Sequence, residues 1–269
     1  MSGPILHTRL SHAPWQSPQT ARLPGTTPIA VEDWLTVDEA FAAQLAERDR
    51  LLRERRGAVC AARPGSEAAQ AELHDTVLAA LGARRDYRRE GGAIRRPDGV
   101  RVPLAPGDPL GTLGRLVQED FCLMDKPADA AEHVLTAAIL CFPANWTLAE
   151  KLGRPLSTIH APVPDYDAGL AARVQRLFDG LRAVEAGGRI LMRMNALDHD
   201  RPDLFQTRPQ AQARPHGHGG GGWLRIERQT LRRLPRTGAV VFAIHTTVLD
   251  RATLPAEVQS AFAAHAGAR

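Results

Sequence analysis

Lysine is almost missing from this 269-residue chain. Of its 34 basic residues only Lys126 and Lys151 are lysines; the other 32 are arginines. Such a bias, beside abundant alanine, reads as base composition rather than as a nucleic-acid surface. Aromatic residues make up only 5%, too few for the stacking platforms that hold single-stranded nucleic acid. No apolar run approaches the roughly 20 residues that span a bilayer, and the longest candidate, 134–142, is strand-sized. The N-terminus lacks a basic segment leading into an apolar one, so no membrane association and a cytoplasmic location are expected. The three cysteines, Cys60, Cys122 and Cys141, are odd in number and show no Cys-x-x-Cys spacing. Neither a disulfide framework nor a zinc site is suggested. The glycine fingerprint of dinucleotide binding, the phosphate-binding P-loop, the Gly-x-Ser-x-Gly elbow, His-Glu-x-x-His and the EF-hand loop are all absent.

What is present suffices for a sizeable core: 43% hydrophobic and 24% charged residues, with a formal net charge of +4. That composition suits one large domain or two small ones and excludes a disordered chain. Residues 1–35, rich in Pro, Thr and Ser, read as an extended arm on the body. Thr36-Val-Asp-Glu39 has the form of a capping box for a helix to about Arg56. Ser66 is placed to cap a second helix to about Leu81. Arg84 to Arg96 reads as a basic solvated connection, and Pro97-Asp98-Gly99 as a hairpin turn. Strands are expected at 121–124, 133–142, 189–197 and 239–249. Helices are expected at 110–118, 145–152, 167–184, 224–234 and 255–265. Strict strand–helix alternation is missing, which favours an α+β antiparallel sheet with segregated helices over a doubly wound parallel one. The natural partition is a helical segment, 1–90, packed on a sheet-based remainder, 91–269.

Three segments bear on chemistry. His216-Gly-His218, before a run of glycines, reads as a solvated loop or a weak metal grip. Ile159-His-Ala-Pro-Val-Pro164 puts His160 between apolar neighbours and a Pro-x-Pro pair. A stiff, extended backbone is expected there. Such a histidine suits an axial haem ligand, which must be a neutral imidazole; a structural histidine bonding a backbone carbonyl is the plainer alternative. Leu224-Arg-Ile-Glu-Arg-Gln-Thr-Leu-Arg-Arg-Leu234, taken as a helix, brings Arg225 beside Gln229 and Arg228 beside Arg232. That face is either solvated and ion-paired or an anion clamp of guanidinium forks.

Together with Gln118-Glu-Asp-Phe-Cys-Leu-Met124, Cys141-Phe-Pro-Ala-Asn-Trp146, Glu150-Lys-Leu-Gly-Arg154, Arg193-Met-Asn195, Leu204-Phe205 and Arg233-Leu-Pro-Arg-Thr-Gly238, the segments opening at Ile159 and Leu224 form an ordered set. The sequence thereby resembles the haem-dependent oxidative N-demethylase-like family, whose characterised activity is that of the α subunit of dimethylamine monooxygenase. The resemblance implies haem b in a PAS-like domain with a five-stranded antiparallel sheet. It implies oxygen-dependent demethylation of a small secondary amine, with electrons from NAD(P)H delivered through flavin-bearing reductase subunits. On the family's pattern His160 is expected to ligate the iron, with His245 as competitor. Arg225, Arg228 and Gln229 are expected to hold the cofactor, and Asn195, Glu227 and His245 to border the substrate. The chain departs from the family at Ala196, where Trp is usual, and at Ile244-His-Thr-Thr247, where Ile-Arg-Thr-Tyr is expected. Both departures bear on the substrate. A non-catalytic haem-PAS sensor and a cofactor-free small-molecule binding protein are the alternatives.

Overall fold

The computed structural model describes residues 3–21, 25–163, 166–212 and 221–267. Ten strands occur among them: β1 (Thr27–Ile29), β2 (Cys60–Ala62), β3 (Arg88–Glu90), β4 (Ala93–Arg95), β5 (Arg101–Pro103), β6 (Asp120–Asp125), β7 (Val134–Ile139), β8 (Ile190–His199), β9 (Trp223–Arg233) and β10 (Val240–Asp250). The α-helices are α1 (Pro18–Ala21), α2 (Phe41–Glu54), α3 (Arg56–Val59), α4 (Glu67–Gly82), α5 (Pro109–Gly114), α6 (Leu148–Lys151), α7 (Leu156–His160), α8 (Ala168–Gly180) and α9 (Ala256–Gly267).

Seven strands form one antiparallel sheet in the order β1-β8-β9-β10-β6-β7-β2. The expected sheet had five strands; β6, β7, β8 and β10 match expected strands, β9 was expected as a helix, and the 93–103 hairpin lies in a separate sheet. The two edge strands, β1 and β2, come from the N-terminal third. Each is three residues long, too short to show a period in the sequence. β3, β4 and β5 form a second, three-stranded sheet, so much of the supposed basic connection is strand, and the hairpin at Pro97-Asp98-Gly99 joins β4 to β5.

The pleat divides the core. Phe121 and Leu123 of β6 and Val241 and Ala243 of β10 join one cluster, built with Trp34 and helices α2, α4 and α5. Cys122, Met124, Val240 and Ile244 join another, covered by α6, α7 and α8. Successive side chains of a strand point to opposite faces, so each of these strands serves two cores.

Three local expectations are overturned. Residues 224–234 are not a helix; Trp223–Arg233 is the strand β9, paired along its length with β8 and β10. His160 is not on an extended loop; it ends helix α7, with Pro155 as N-cap and Pro162 just beyond, positions that suit proline. The Thr36–Glu39 capping box does not form. Glu39 instead accepts from the backbone N–H of Thr8 and Arg9 in the arm, and Thr36 N–H donates to Glu119. α2 begins five residues after Thr36, where Asp38 accepts from Ala40 N–H. The arm itself carries α1, β1 and a short 3-10 turn at Pro14–Gln16.

Candidate functional site

The pleat decides which candidate residues can act together. Across β8 and β9, Arg193 faces Gln229 and Asn195 faces Glu227. Arg193 donates to Gln229 Oε1 at 2.9 Å, and Gln229 Nε2 donates to Glu227 Oε2 at 3.0 Å. Arg225 Nε donates to Glu227 Oε1 at 3.3 Å, and its other nitrogens reach the carbonyls of Phe142 and Leu204. Arg225, Glu227 and Gln229 are alternate residues, so strand geometry puts them on one face. The result is a continuous polar ladder, Arg193–Gln229–Glu227–Arg225, within a half-buried surface. Both oxygens of Glu227 are engaged within it. The i,i+4 pairing of Arg225 with Gln229 is replaced by this i,i+2 arrangement.

His160 belongs to the layer of helices on the same face. Its neighbours Leu156 and Ile159 pack into the cluster that Ile244 and Leu231 line from the sheet. Its Nδ1 lies 2.8 Å from the Leu156 carbonyl oxygen, so in the neutral ring Nδ1 carries the proton and donates. The ring is half-buried and stacks on Tyr166, with centroids 4.4 Å apart and planes 17° from parallel. Burial pulls its pKa down to about 4, with Lys151 and Arg193 adding repulsion against the carbonyl's opposing pull. The imidazole is therefore neutral at pH 7, with Nε2 unprotonated. Fixing one ring nitrogen on a carbonyl is the usual way to orient a metal-binding histidine.

His245 and Arg228 lie across the sheet. They are cross-strand partners on β10 and β9, and their contacts are with the N-terminal segment. Arg228 donates to the carbonyls of Asp33 and Trp34 at 2.6 and 3.3 Å. His245 Nε2 stands 3.1 Å from Asp38 Oδ2, off the hydrogen-bond direction. His7 Nε2 donates to the same oxygen at 2.8 Å while its Nδ1 accepts from Val248 N–H. Burial alone raises the Asp38 carboxyl; the two histidines beside it outweigh that and hold it well below the usual range. Burial pushes Glu119 up, and its Oε2 has no partner among the described residues. The sequence candidates thus fall into two groups separated by the sheet: His160, Asn195, Arg225, Glu227 and Gln229 on one side, His245 and Arg228 on the other.

The remaining segments of the ordered set hold these elements in place. Arg48, on α2, is fully buried and donates to Asp120 at 2.6 Å and to the carbonyls of Gly114, Gln118 and Glu119. Asp120 in turn accepts from the backbone N–H of Cys141 and Phe142 at 2.7 and 2.8 Å. Asn145 has φ of 60°, a left-handed conformation that asparagine tolerates better than most residues. Beyond it, Trp146 is stacked under the Lys151 ammonium at 4.5 Å. Asn145, Trp146, Lys151 and Pro162 help line a cavity of about 20 Å³, room for one water. A cleft of about 770 Å³ elsewhere contains none of the sequence candidates.

Sequence reasoning missed two residues of the helix-covered face. Arg193 was legible only as part of a matched segment, and its partner Gln229 is 36 residues away. Tyr166 carried no signal, because its contact with His160 depends on how α7 turns into α8. The cysteines are inert in kind: burial raises all three thiols, Cys122 and Cys141 to about 12, and all three are free. No cluster of three or more His, Cys, Asp or Glu that could hold a metal ion occurs among the described residues, which leaves open a cofactor needing one protein ligand. His216 and His218 lie outside the described residues. No helix is long and apolar enough to cross a membrane among the described residues. In comparison with known families, the model for the haem-dependent oxidative N-demethylase, alpha subunit-like family matches residues 25–266.

Proposed function

The chain belongs to the haem-dependent oxidative N-demethylase, alpha subunit-like family, and from that premise we propose that it binds haem b through His160 and removes an N-methyl group from a small secondary amine. The overall reaction takes the N-methyl amine, dioxygen, two electrons and two protons to the primary amine, formaldehyde and water. Haem supplies the activation of dioxygen. The electrons come from NAD(P)H through flavin-bearing reductase subunits, consistent with a chain that lacks a dinucleotide fingerprint of its own.

The observation that carries this reading is the His160 imidazole, kept neutral by burial, fixed at Nδ1 by the Leu156 carbonyl and free at Nε2 among the described residues. The surroundings fit the group in kind. Leu156, Ile159, Leu231 and Ile244 pack into an apolar cluster beside His160, and Lys151 and Arg193, within electrostatic reach of it, match the carboxylates of a haem in charge. The strand order β7-β6-β10-β9-β8 within the larger sheet, with α6–α8 between β7 and β8, supports a PAS-like core. Among the substrate-side candidates, Asn195 borders the polar ladder. Glu227 acts as its brace, since Arg225 and Gln229 occupy its oxygens. Arg228 and His245 belong to the opposite face and contribute to holding the N-terminal segment.

The test starts with a visible spectrum of the full chain reconstituted with haem. A Soret band is expected. His160→Gly abolishes it, and added imidazole restores it; His245→Ala leaves it unchanged. Formaldehyde release from dimethylamine with a reductase and NAD(P)H then separates the enzyme from a haem sensor. Absence of a Soret band, or its loss in His245→Ala alone, overturns the assignment.

A further inference from the structure

One exposed segment of the molecule carries a marked excess of arginine. Residues 84–101 hold seven arginines and three acids, Asp86, Glu90 and Asp98, a net of +4. That equals the formal net charge of the whole chain, so the other 251 residues carry 27 charges of each sign. Base composition accounts for the choice of arginine over lysine throughout. Residues 225–236 carry the same excess, five arginines and one acid, but those arginines are engaged with backbone carbonyls and with Glu72, Asp75, Glu185 and Glu227.

These residues build the three-stranded sheet β3-β4-β5 and the approach to it. In register, Arg88 faces Arg95 and Arg95 faces Arg101. Three like charges side by side across adjacent strands weaken a sheet. Only Glu90 answers them, at 2.6 Å from Arg95 and 3.8 Å from Arg101. Asp86 is taken by Arg84 and Asp98 by Arg96, at 2.6 and 2.7 Å. Arg85, Arg88 and Arg89 are exposed; none forms an ion pair among the described residues, and Arg88 shares the charge of Glu90 with Arg95 and Arg101. The neighbouring row, Ile94 and Val102, is buried in the main core with Tyr87, so the small sheet is anchored and presents its arginine row outward.

We propose that this arginine-rich sheet is a docking surface for the acidic face of a partner protein. Rigid cross-strand guanidinium groups suit carboxylates, which they engage in bidentate fashion. A nucleic-acid surface is the weaker reading, because the segment's one aromatic, Tyr87, is buried with its hydroxyl on the Leu116 carbonyl and no base has a ring to stack on. Identifying the partner as the electron-supplying subunit rests on the proposed function; the acidic docking itself does not. Long-range attraction between such faces speeds encounter and falls with salt.

The experiment needs neither haem nor turnover. The full chain is titrated at low salt with a fluorescent poly-L-glutamate of about 20 residues, and separately with a single-stranded DNA oligonucleotide of matched charge. The triple variant R88S/R95S/R101S, which removes the arginine row, is compared with R63S/R173S/R176S, which removes the same charge from exposed positions elsewhere. Circular dichroism and melting temperature check that both remain folded. The expected result is polyglutamate binding that weakens about tenfold in the sheet variant and less than twofold in the control, with oligonucleotide binding no tighter than polyglutamate binding. No polyglutamate binding, equal losses in both variants, or tighter oligonucleotide binding lost with the same three arginines overturns the proposal.

Discussion

Asp120→Asn tests how the family-matched segments are tied together. The Asp120 side chain is 1% exposed, and Arg48 opposite it is fully buried. Its Oδ1 accepts from Arg48 and from Cys141 N–H; its Oδ2 accepts from Phe142 N–H. An asparagine keeps one oxygen acceptor and turns an amide –NH2 toward donors it cannot satisfy. Arg48 keeps its carbonyl partners but loses its only neutralising charge among those contacts. Breaking a buried ion pair from one side costs about 3–5 kcal/mol. At roughly 2–4 °C per kcal/mol for a chain of this size, the melting temperature falls on the order of 10 °C. Urea unfolding gives the free energy directly, with an unchanged slope showing that the midpoint reports stability. The exposed pairs of Arg50 with Glu47 and Glu54 serve as control, and Arg50→Gln shifts stability by less than about 1 kcal/mol. A loss below about 1 kcal/mol for Asp120→Asn would refute the view that this carboxylate ties β6 to the 141–146 segment.

Two further outcomes follow from the same contacts. Burial lowers the pKa of His160 to about 4 from 6.5 and also lowers His12, His133 and His199. Between pH 6.5 and 4 the unfolded chain takes up protons that these folded sites refuse, so stability falls on acidification, by up to about 3 kcal/mol for His160 alone. Glu119 acts in the opposite sense, because its raised carboxyl favours the folded state at lower pH. Urea midpoints at pH 7 and 4.5 are the check, with a flatter dependence expected for His160→Leu; a midpoint that rises on acidification contradicts the assignment. At Gly188 a Cβ would lie 2.0 Å from the Arg182 carbonyl oxygen and 2.7 Å from that of Ala183, both backbone, whereas at Gly92 it would meet nothing within 4 Å. Gly188→Ala should cost about 2 kcal/mol or more and Gly92→Ala less than about 1; equal melting temperatures would show that the turn before β8 opens freely.

Much of the architecture was legible where a period ran long enough. The amphipathic stretch from Asp167 became α8 with Asp167 as its N-cap, and the β-branched 239–249 became β10. β9 was misread for a definite reason. Its Leu, Arg, Glu and Gln residues are all good helix formers, and its polar residues occur on both faces. It forms a strand because β8 and β10 supply its backbone partners along its length. Several of its arginines also reach carbonyls and a carboxylate 21 to 195 residues distant, so tertiary context overrides propensity. The capping box failed in the same way: Glu39 has better-placed donors in the arm, 30 and 31 residues earlier. Around His160 the Pro162-x-Pro164 pair suggested an extended backbone, whereas His160 ends the helix α7; Pro164 lies outside the described residues. Pro155 and Pro162 bracket a helix, and the residues between them are free to coil.

The strand assignment changes the chemistry as well as the fold. A helix at 224–234 would gather Arg225, Arg228, Gln229 and Arg232 into one anion clamp. A strand sends Arg228 to the Asp33 and Trp34 carbonyls and Gln229 to Arg193, so neighbours in sequence serve opposite faces of the sheet. Two histidines that compete for one role on paper cannot share it in space: His160 packs with an apolar layer within reach of Lys151 and Arg193, and His245 faces an aspartate held well below its usual pKa. The arginines that first suggested a cofactor clamp are divided in the same way: Arg225 joins the polar ladder on one face of the sheet, and Arg228 tethers the N-terminal segment on the other.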